Sequence, residues 1–363
     1  MLKNVTSISG KIKLKDKTTD QQFMQRALEL AQKGKGSVSP NPMVGCVLAY
    51  ENKIIGEGWH RNYGEAHAEV NAVADVFRNK KEDLLCKATA YVTLEPCSHQ
   101  GKTPPCADLL IKHKVKKVMV ASLDSNPLVG GQGITKLKKA GIEVEIGVLD
   151  TENRKLNAHF FTFIEKRRPY ILLKWAETAD GFVARQNFDS KWISNPLSRV
   201  YVHKYRSQYD AIMVGTNTAQ YDNPKLNTRN WSGKSPLRIV LDTSLRLDKT
   251  LHLFDGKLPT ICYNFIKSEK QKNIEYIKLN SKDVIPQILI NLFEKNIQSL
   301  LIEGGTGLLQ HFLDAKLWDK ALVFKSQTSF GEGISSPRIE GKLIDNQVLR
   351  GDYLQTYIPR IIS

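Results

Sequence analysis

An α/β protein with two successive layered domains is what this sequence predicts, and three observations lead there. Helical and strand periodicities alternate along most of the chain, the pattern of sheets covered by helices. A length of 363 residues supplies enough chain for two hydrophobic cores. Hydrophobic residues at 41% and charged residues at 25% suit a soluble globular chain, and no apolar run reaches the roughly 18 residues of a membrane span.

Taken in order, residues 1–19 are Lys-rich without an apolar h-region, so they read as a flexible tail rather than a secretory signal. Gln21 to Gln32 then places Phe23, Met24, Ala27, Leu28, Leu30 and Ala31 at helical spacing, and Gly34 and Gly36 end that helix. Met43 to Tyr50 and Ile54 to Trp59 read as strands joined by a turn at Glu51-Asn52-Lys53. Helices are expected at His67–Arg78, Ala107–His113 and Ile134–Ala140, and strands at Ala88–Leu94, Val115–Ser122 and Ile142–Gly147. A second series begins after Lys166-Arg167-Arg168-Pro169, with strands expected at Tyr170–Ala176, Ala211–Val214, Leu237–Leu241, Thr260–Tyr263, Ser299–Ile302 and Lys320–Lys325. Its helices are expected at Pro196–Ser207, Val284–Asn296 and Leu308–Ala315. The first domain thus covers residues 20–165 and the second 169–363, with the join near 160–168.

Five cysteines in a chain this long make no disulfide framework, and Cys46 sits in the apolar run Val44–Leu48 as a core residue, so a reducing cytoplasm is expected. The net charge of +16 admits two partners, nucleic acid or small phosphorylated molecules. Paired lysines such as Lys80-Lys81 and Lys138-Lys139 are ordinary solvated faces, so charge alone decides nothing.

One constellation carries chemistry. His67, Cys97 and Cys106 offer an imidazole and two thiolates, a donor set for tetrahedral zinc with the fourth position left to water. Glu69, an acid beside the set and outside it, can move protons for that water. A structural zinc more usually recruits a fourth Cys or His, and a chance grouping of a buried His with two core thiols is the bland reading. His67 precedes Glu69 at one helix start, and Cys97, following Pro96, is expected to open another. Two helix N-termini would then favour thiolate over thiol. His-x-Glu followed by Pro-Cys resembles the zinc deaminases. Nucleoside and transfer-RNA deaminases usually separate their two Cys by two residues. Here eight intervene, Ser98 to Pro105, with Gly101 and two prolines to shape the loop; its polar groups Ser98, His99, Lys102 and Thr103 suit either the reading of substrate or a surface excursion without contacts.

The strings PNPMVGCV (40–47), HAEVNAV (67–73), TLEPCSHQGKTPPC (93–106) and DSNPLVGGQGITKLKKAGIEV (124–144) resemble the deaminase domain of the bifunctional riboflavin-biosynthesis deaminase/reductase family. That resemblance implies a cytidine-deaminase-like three-layer domain in which His67, Cys97 and Cys106 bind Zn2+ and Glu69 shuttles protons. It also places Asn41 near the substrate base, and it implies hydrolysis of 2,5-diamino-6-ribosylamino-4(3H)-pyrimidinone 5′-phosphate at its 2-amino carbon.

The second half has no GxGxxG opening a βαβ unit. Ile302-Glu303-Gly304-Gly305-Thr306-Gly307 ends a strand and starts a helix, either a phosphate cradle or only a tight turn. KWAETADGFVA (174–184), DSKWI (189–193), VGTNTAQYDNPKLNTR (214–229) and IEGGTG (302–307) resemble the reductase half of the same family, in the same order. By that resemblance the half is dihydrofolate-reductase-like and uses NADPH. Ser190, Arg206, Leu226, Arg229 and Glu303 would contact the sugar phosphate, and Ala176, Trp192, Thr218, Asp222, Thr243, Gly304, Gly305 and Gly307 the cofactor. Lys174 would assist hydride transfer. The chain departs from the family at Thr178-Ala179-Asp180-Gly181, often Ser-Leu-Asp-Gly, and at Asp222-Asn223-Pro224, often Asp-Asp-Pro. Residues after 325 match weakly.

The implied partners are small phosphorylated pyrimidines, with no nucleic acid and no membrane, and a homo-oligomer is compatible with this reading. A transfer-RNA or single-stranded-DNA deaminase would want a basic stripe interleaved with stacking aromatics, but aromatics are 8% and dispersed. A zinc-stabilised scaffold would leave Glu69 dispensable.

Overall fold

The structure, a computed structural model, describes residues 18–99, 104–127, 129–191 and 193–360. They form two compact units. One comprises the chain through Lys33 together with Met43–Leu156; the other comprises Gly34–Pro42 and Asn157 onward. The expected tail lies outside the described residues except for Thr18 and Thr19.

In the first unit, helix α1 (Thr19–Gln32) starts two residues before the predicted point, because Thr18 and Gln21 close a reciprocal capping box. Strands β1 (Gly45–Tyr50) and β2 (Lys53–Trp59) form a hairpin, followed by α2 (Ala68–Arg78), β3 (Thr89–Leu94), α3 (Cys106–Lys112), β4 (Lys117–Ser122), α4 (Gln132–Lys139), β5 (Glu143–Ile146) and α5 (Asp150–Leu156). The sheet order is β2-β1-β3-β4-β5, antiparallel through β3 and parallel from β3 to β5. Alternate strand residues serve opposite faces. Val47, Ala49, Tyr91, Met119 and Ala121 pack with Met24, Ala27 and Leu30 of α1. Cys46, Leu48, Ala90, Val92, Val118 and Val120 pack with Ala72 and Val76 of α2, Leu110 of α3 and Leu137 of α4. The strands are therefore apolar on both sides, which is why they read as continuous runs. On β2, a side chain at Gly58 would lie 2.3 Å from the backbone nitrogen of Ala72. That bare backbone lets α2 press onto the sheet and presents its first turn at the sheet's end.

The second unit opens with α6 (Ala158–Lys166), several residues before the expected join. Its ring contacts explain the difference: Phe163 meets Phe293 at 4.6 Å, and His159 lies 4.8 Å from both Tyr170 and Tyr209. The segment 34–42 also belongs to this unit, where Gln298 Nε2 donates to the carbonyl of Pro40 at 2.6 Å. Then come β6 (Tyr170–Glu177), β7 (Phe182–Ala184), α7 (Pro196–Arg206), β8 (Ala211–Gly215), α8 (Thr216–Asp222), β9 (Leu237–Leu241), β10 (Thr260–Asn264), β11 (Glu269–Gln271) and β12 (Ile274–Lys278). The remaining elements are α9 (Val284–Glu294), β13 (Ser299–Glu303), α10 (Thr306–Asp314), β14 (Lys320–Lys325), β15 (Ile334–Ser335), β16 (Gly341–Leu349) and β17 (Asp352–Pro359). Ten strands form one sheet in the order β11-β12-β10-β9-β8-β13-β6-β14-β17-β16, parallel from β12 to β14. Ile288 and Leu292 of α9 and Leu309 and Phe312 of α10 cover one face. Val202 of α7 and Ala219 of α8 cover the other.

Candidate active sites

The first site forms where α2 and α3 begin. His67 is the N-cap of α2, and Cys106 is the first residue of α3. Two helix starts do meet here, but Cys106 rather than Cys97 opens the second helix. Cys97 lies in the irregular segment leaving β3, and with Pro105 as its N-cap the helix begins at Cys106. The ligand atoms of His67, Cys97 and Cys106 lie within 4.8 Å of one another. His67 Nδ1 is 3.6 Å from Cys97 Sγ and 3.4 Å from Cys106 Sγ, and the Cys106 backbone N–H donates to Cys97 Sγ at 3.3 Å. One imidazole and two thiols at this spacing fit a tetrahedral zinc with one open position.

Glu69, in the first turn of α2, is buried beside the cluster. Burial, reinforced by the negative charge of Cys97, pushes its carboxyl up to about 7. Hydrogen bonding from Cys106, then from His67, draws the Cys97 thiol down to about 4, while that same bond and burial push Cys106 far up.

The sequence reading passed over Glu95, two residues before Cys97. Its buried carboxylate accepts backbone N–H groups of Gly131 and Gly133 at 2.9 Å, and of Asp124 and Ile134 at 3.3 Å. This clasp ties the Cys97 segment to the start of α4. The polar residue at a strand end, inside TLEPC, was the signal available.

The second site is a cavity of about 450 Å³ off the carboxyl ends of β6, β8 and β13, the position where parallel sheets receive ligands. Lys174, Ala176, Ser190, Arg206, Thr218, Asp222, Leu226, Glu303, Gly304, Gly305 and Gly307 line it, all of them expected from the sequence. At its floor Arg206 grips Glu303 in a bidentate pair, Nε to Oε1 at 2.9 Å and Nη2 to Oε2 at 2.7 Å. Burial alone would raise the Glu303 carboxyl, but Arg206 and then Lys174 hold it down at about 2. Lys174 Nζ stands 4.0 Å from Glu303, and burial lowers its ammonium below the usual range. Ser190 Oγ donates to Asp222 Oδ1 at 2.9 Å. Gly304 and Gly305 take φ of +78° and +76°, and a side chain at Gly304 would come within 3.1 Å of Thr218. Backbone bared at the start of α10 suits the phosphates of a dinucleotide such as NADPH.

Both halves of the chain have counterparts among known proteins. Residues 17–122 match the cytidine and deoxycytidylate deaminase zinc-binding region, and residues 169–362 match the RibD C-terminal domain. The chain is 42% identical over 323 residues to the riboflavin biosynthesis protein RibD of Aquifex aeolicus (strain VF5), covering 87% of this chain and 89% of that one. It is 40% identical over 363 residues to RibD of Actinobacillus pleuropneumoniae, with 94% and 95% covered. The chain belongs to the RibD family. A crystal structure from Thermotoga maritima, described as a diaminohydroxyphosphoribosylaminopyrimidine deaminase/5-amino-6-(5-phosphoribosylamino)uracil reductase, superposes with a TM-score of 0.86 at 38% identity, covering 94% of this chain and 99% of that one. The protein is thus a bifunctional deaminase and reductase of riboflavin biosynthesis, zinc-dependent in its first half and NADPH-dependent in its second. A reductase half is what the nucleic-acid reading left unexplained.

Two expected reductase positions stand apart from the cavity lining. Arg229 is exposed and donates to Asn227 Oδ1 at 3.2 Å, while the Asn227 carbonyl accepts from Arg206 at 3.3 Å, so the two arginines are linked through Asn227. Thr243 sits in the turn after β9, one strand beyond the cavity wall. Trp192 falls outside the described residues, as do Lys102 and Thr103 of the long Cys-to-Cys loop. Asn41 belongs to the segment counted with the second unit. Among the described residues no helix is long and apolar enough to cross a membrane.

Proposed function

We propose that the first unit hydrolyses 2,5-diamino-6-ribosylamino-4(3H)-pyrimidinone 5′-phosphate at its 2-amino carbon. The second unit then reduces the ribosyl group of 5-amino-6-(5-phosphoribosylamino)uracil to ribityl. The convergence of His67, Cys97 and Cys106 beside the buried Glu69 carries this reading.

His67, Cys97 and Cys106 would hold the zinc, which supplies Lewis acidity that makes water nucleophilic near neutral pH. Glu69 accepts the proton that the attacking water gives up, passes it to a ring nitrogen, and helps deliver a proton to the departing ammonia. The oxygen of water thereby becomes the carbonyl that replaces the amino group, one of its hydrogens ends on the ring nitrogen and the other on the departing ammonia, and Glu69 neither gains nor loses a proton overall. Asn41 is assigned to the substrate base, and Glu95 keeps Cys97 in place.

In the second unit NADPH supplies the hydride, so the chain's task is orientation. Ser190, Arg206, Leu226, Arg229 and Glu303 are assigned to the sugar phosphate. Ala176, Trp192, Thr218, Asp222, Thr243, Gly304, Gly305 and Gly307 are assigned to the cofactor. Lys174, half-buried and close to Glu303, is assigned to balance charge as the sugar carbon accepts hydride. Ammonia release and NADPH consumption on the pyrimidinone phosphate test the pair of reactions. Both should occur in that order with one purified chain; a chain that does neither overturns the proposal.

A further inference from the structure

The turn that follows β7 borders the cavity of the second unit. Arg185 N–H donates to the Asp189 carbonyl and Phe188 N–H to the Arg185 carbonyl, both at 2.9 Å, so residues 185–189 close on themselves. The base of the turn is held against residues 330–332. The Arg185 guanidinium lies 4.1 Å from the Phe330 ring centroid, and Gln186 Nε2 donates to Glu332 Oε2 at 3.1 Å. The tip carries Phe188 at a left-handed φ of +67°, a conformation that a bulky residue keeps only where other contacts over-determine it.

Among the described residues, two side-chain contacts carry that tip across to the last residues of α8. The Phe188 ring stacks on the Tyr221 ring, with centroids 4.2 Å apart and planes within 2° of parallel. Two residues further on, Ser190 Oγ donates to Asp222 Oδ1 at 2.9 Å. All four residues line the cavity. The α8 side of the crossing is fixed, because Asn223, which ends the helix at φ +41°, accepts the His252 N–H at 2.8 Å.

The two contacts answer differently to substrate. A hydroxyl has one proton to give, and Ser190 gives it to Asp222. An ionised phosphate oxygen only accepts, so Ser190 can serve one only by releasing Asp222. The stacked rings face no such exchange. We infer that the Phe188–Tyr221 stack is the pin that keeps Ser190 in place when its hydroxyl turns from Asp222 to the sugar phosphate, which makes both rings positioning residues for the reduction. This rests on the assignment of Ser190 to the sugar phosphate, and so on the reductase reading of the second unit.

Two measurements on the full chain test the pin: calorimetric titration with ribose 5-phosphate, and KM for deaminated substrate at saturating NADPH. Tyr221→Leu keeps apolar bulk but not the stack. It should weaken ribose 5-phosphate binding and raise substrate KM by the same factor, roughly 2- to 10-fold, the weight of one aromatic pair, with kcat and ammonia release unchanged. Phe188→Leu should do the same, the double variant no more than either single, and Tyr221→Phe should match wild type. In a Ser190→Ala background Tyr221→Leu should add nothing, because the stack acts through Ser190. Unchanged KM and affinity in Tyr221→Leu, or a loss that adds in full to that of Ser190→Ala, overturns the assignment. A loss seen with substrate but not with ribose 5-phosphate also overturns it, since the rings would then touch the pyrimidine. If Tyr221→Leu does not fold, Phe188→Leu carries the same test with the same outcomes. A wild type that binds ribose 5-phosphate yet never oxidises NADPH would overturn the reductase reading instead.

Discussion

The cluster of the first unit gathers its donor atoms within 4.8 Å from residues as far as 39 positions apart. The cavity of the second extends over about 450 Å³ and draws on three strand ends, two helix starts and a glycine turn. The first is a point site in which each residue has one geometric duty. The second is a surface in which duty is spread, and its strongest internal bond, Arg206 to Glu303, is between two of its own residues. Deleting one group should therefore abolish the first activity and only erode the second, except where the deletion leaves a buried charge alone.

The largest expected effect is at Glu69. Glu69→Gln should lower ammonia release by about 10²- to 10⁴-fold, the range of a positioned proton carrier, with zinc content unchanged and NADPH oxidation on deaminated substrate intact. Near-normal ammonia release would remove Glu69 from its role, and loss of both activities would erase the contrast between the two sites. Chelation should act in the same direction: ammonia release should vanish with the metal and return on adding zinc, because the ligands' binding energy also orders this region. NADPH oxidation measured on deaminated substrate should continue throughout.

The contrast also governs what the sequence made legible. The point site could be read because zinc chemistry admits few donor types, and His67, Cys97 and Cys106 each sit in a short distinctive string. The central strands of both sheets could be read because burial on two faces leaves continuous apolar runs, as in Val118 to Ala121 and Leu300 to Ile302. Short polar helices were missed: α5 and α8 have seven residues each and little apolar periodicity. Strand β16 was missed because seven consecutive residues are exposed, so no inside-outside alternation marks it. The helix start was misplaced onto Cys97 because a local Pro-Cys pattern cannot show that Glu95 is bound to α4. In the cavity, Asn217 escaped notice because only the fold brings the first turn of α8 to the cavity wall.

Glu303 marks the exception in the distributed site. Glu303→Ala would leave Arg206 buried without its partner and should cost roughly 3–5 kcal/mol of stability, seen by calorimetry as early melting of the second unit. Its acidity gives the sign of the pH effect. The carboxyl is held at about 2, below an ordinary value of 4.5, so its stabilisation is complete above that ordinary value and is lost as pH falls from about 4.5 towards 2. The wild-type melting temperature should drop across that window, and the variant should show a shallower drop. Equal slopes would mean that Glu303 is not the group involved. Asp222→Ala should act more mildly, cutting reduction roughly 10- to 100-fold through the loss of one charged hydrogen-bonding group while ammonia release is spared.

Gly304→Ala should have the smallest effect and the most local one. The substitution must accept a φ of +78° and place its methyl 3.1 Å from the Thr218 side chain. The left-handed backbone costs an L-residue roughly 1–2 kcal/mol, and relief is available only if Thr218 or the strand end shifts by a few tenths of an ångström. Since Thr218 and Gly304 both line the cavity, that shift moves the wall facing the cofactor rather than the bonded floor at Arg206. NADPH KM should therefore rise several-fold with kcat nearly constant, and the companion change Thr218→Ser, which removes the methyl carbon at 3.1 Å, should recover part of the loss. If kcat falls instead with KM fixed, the glycine turn touches the reacting end of the cavity, and the division of labour between wall and floor would have to be reversed.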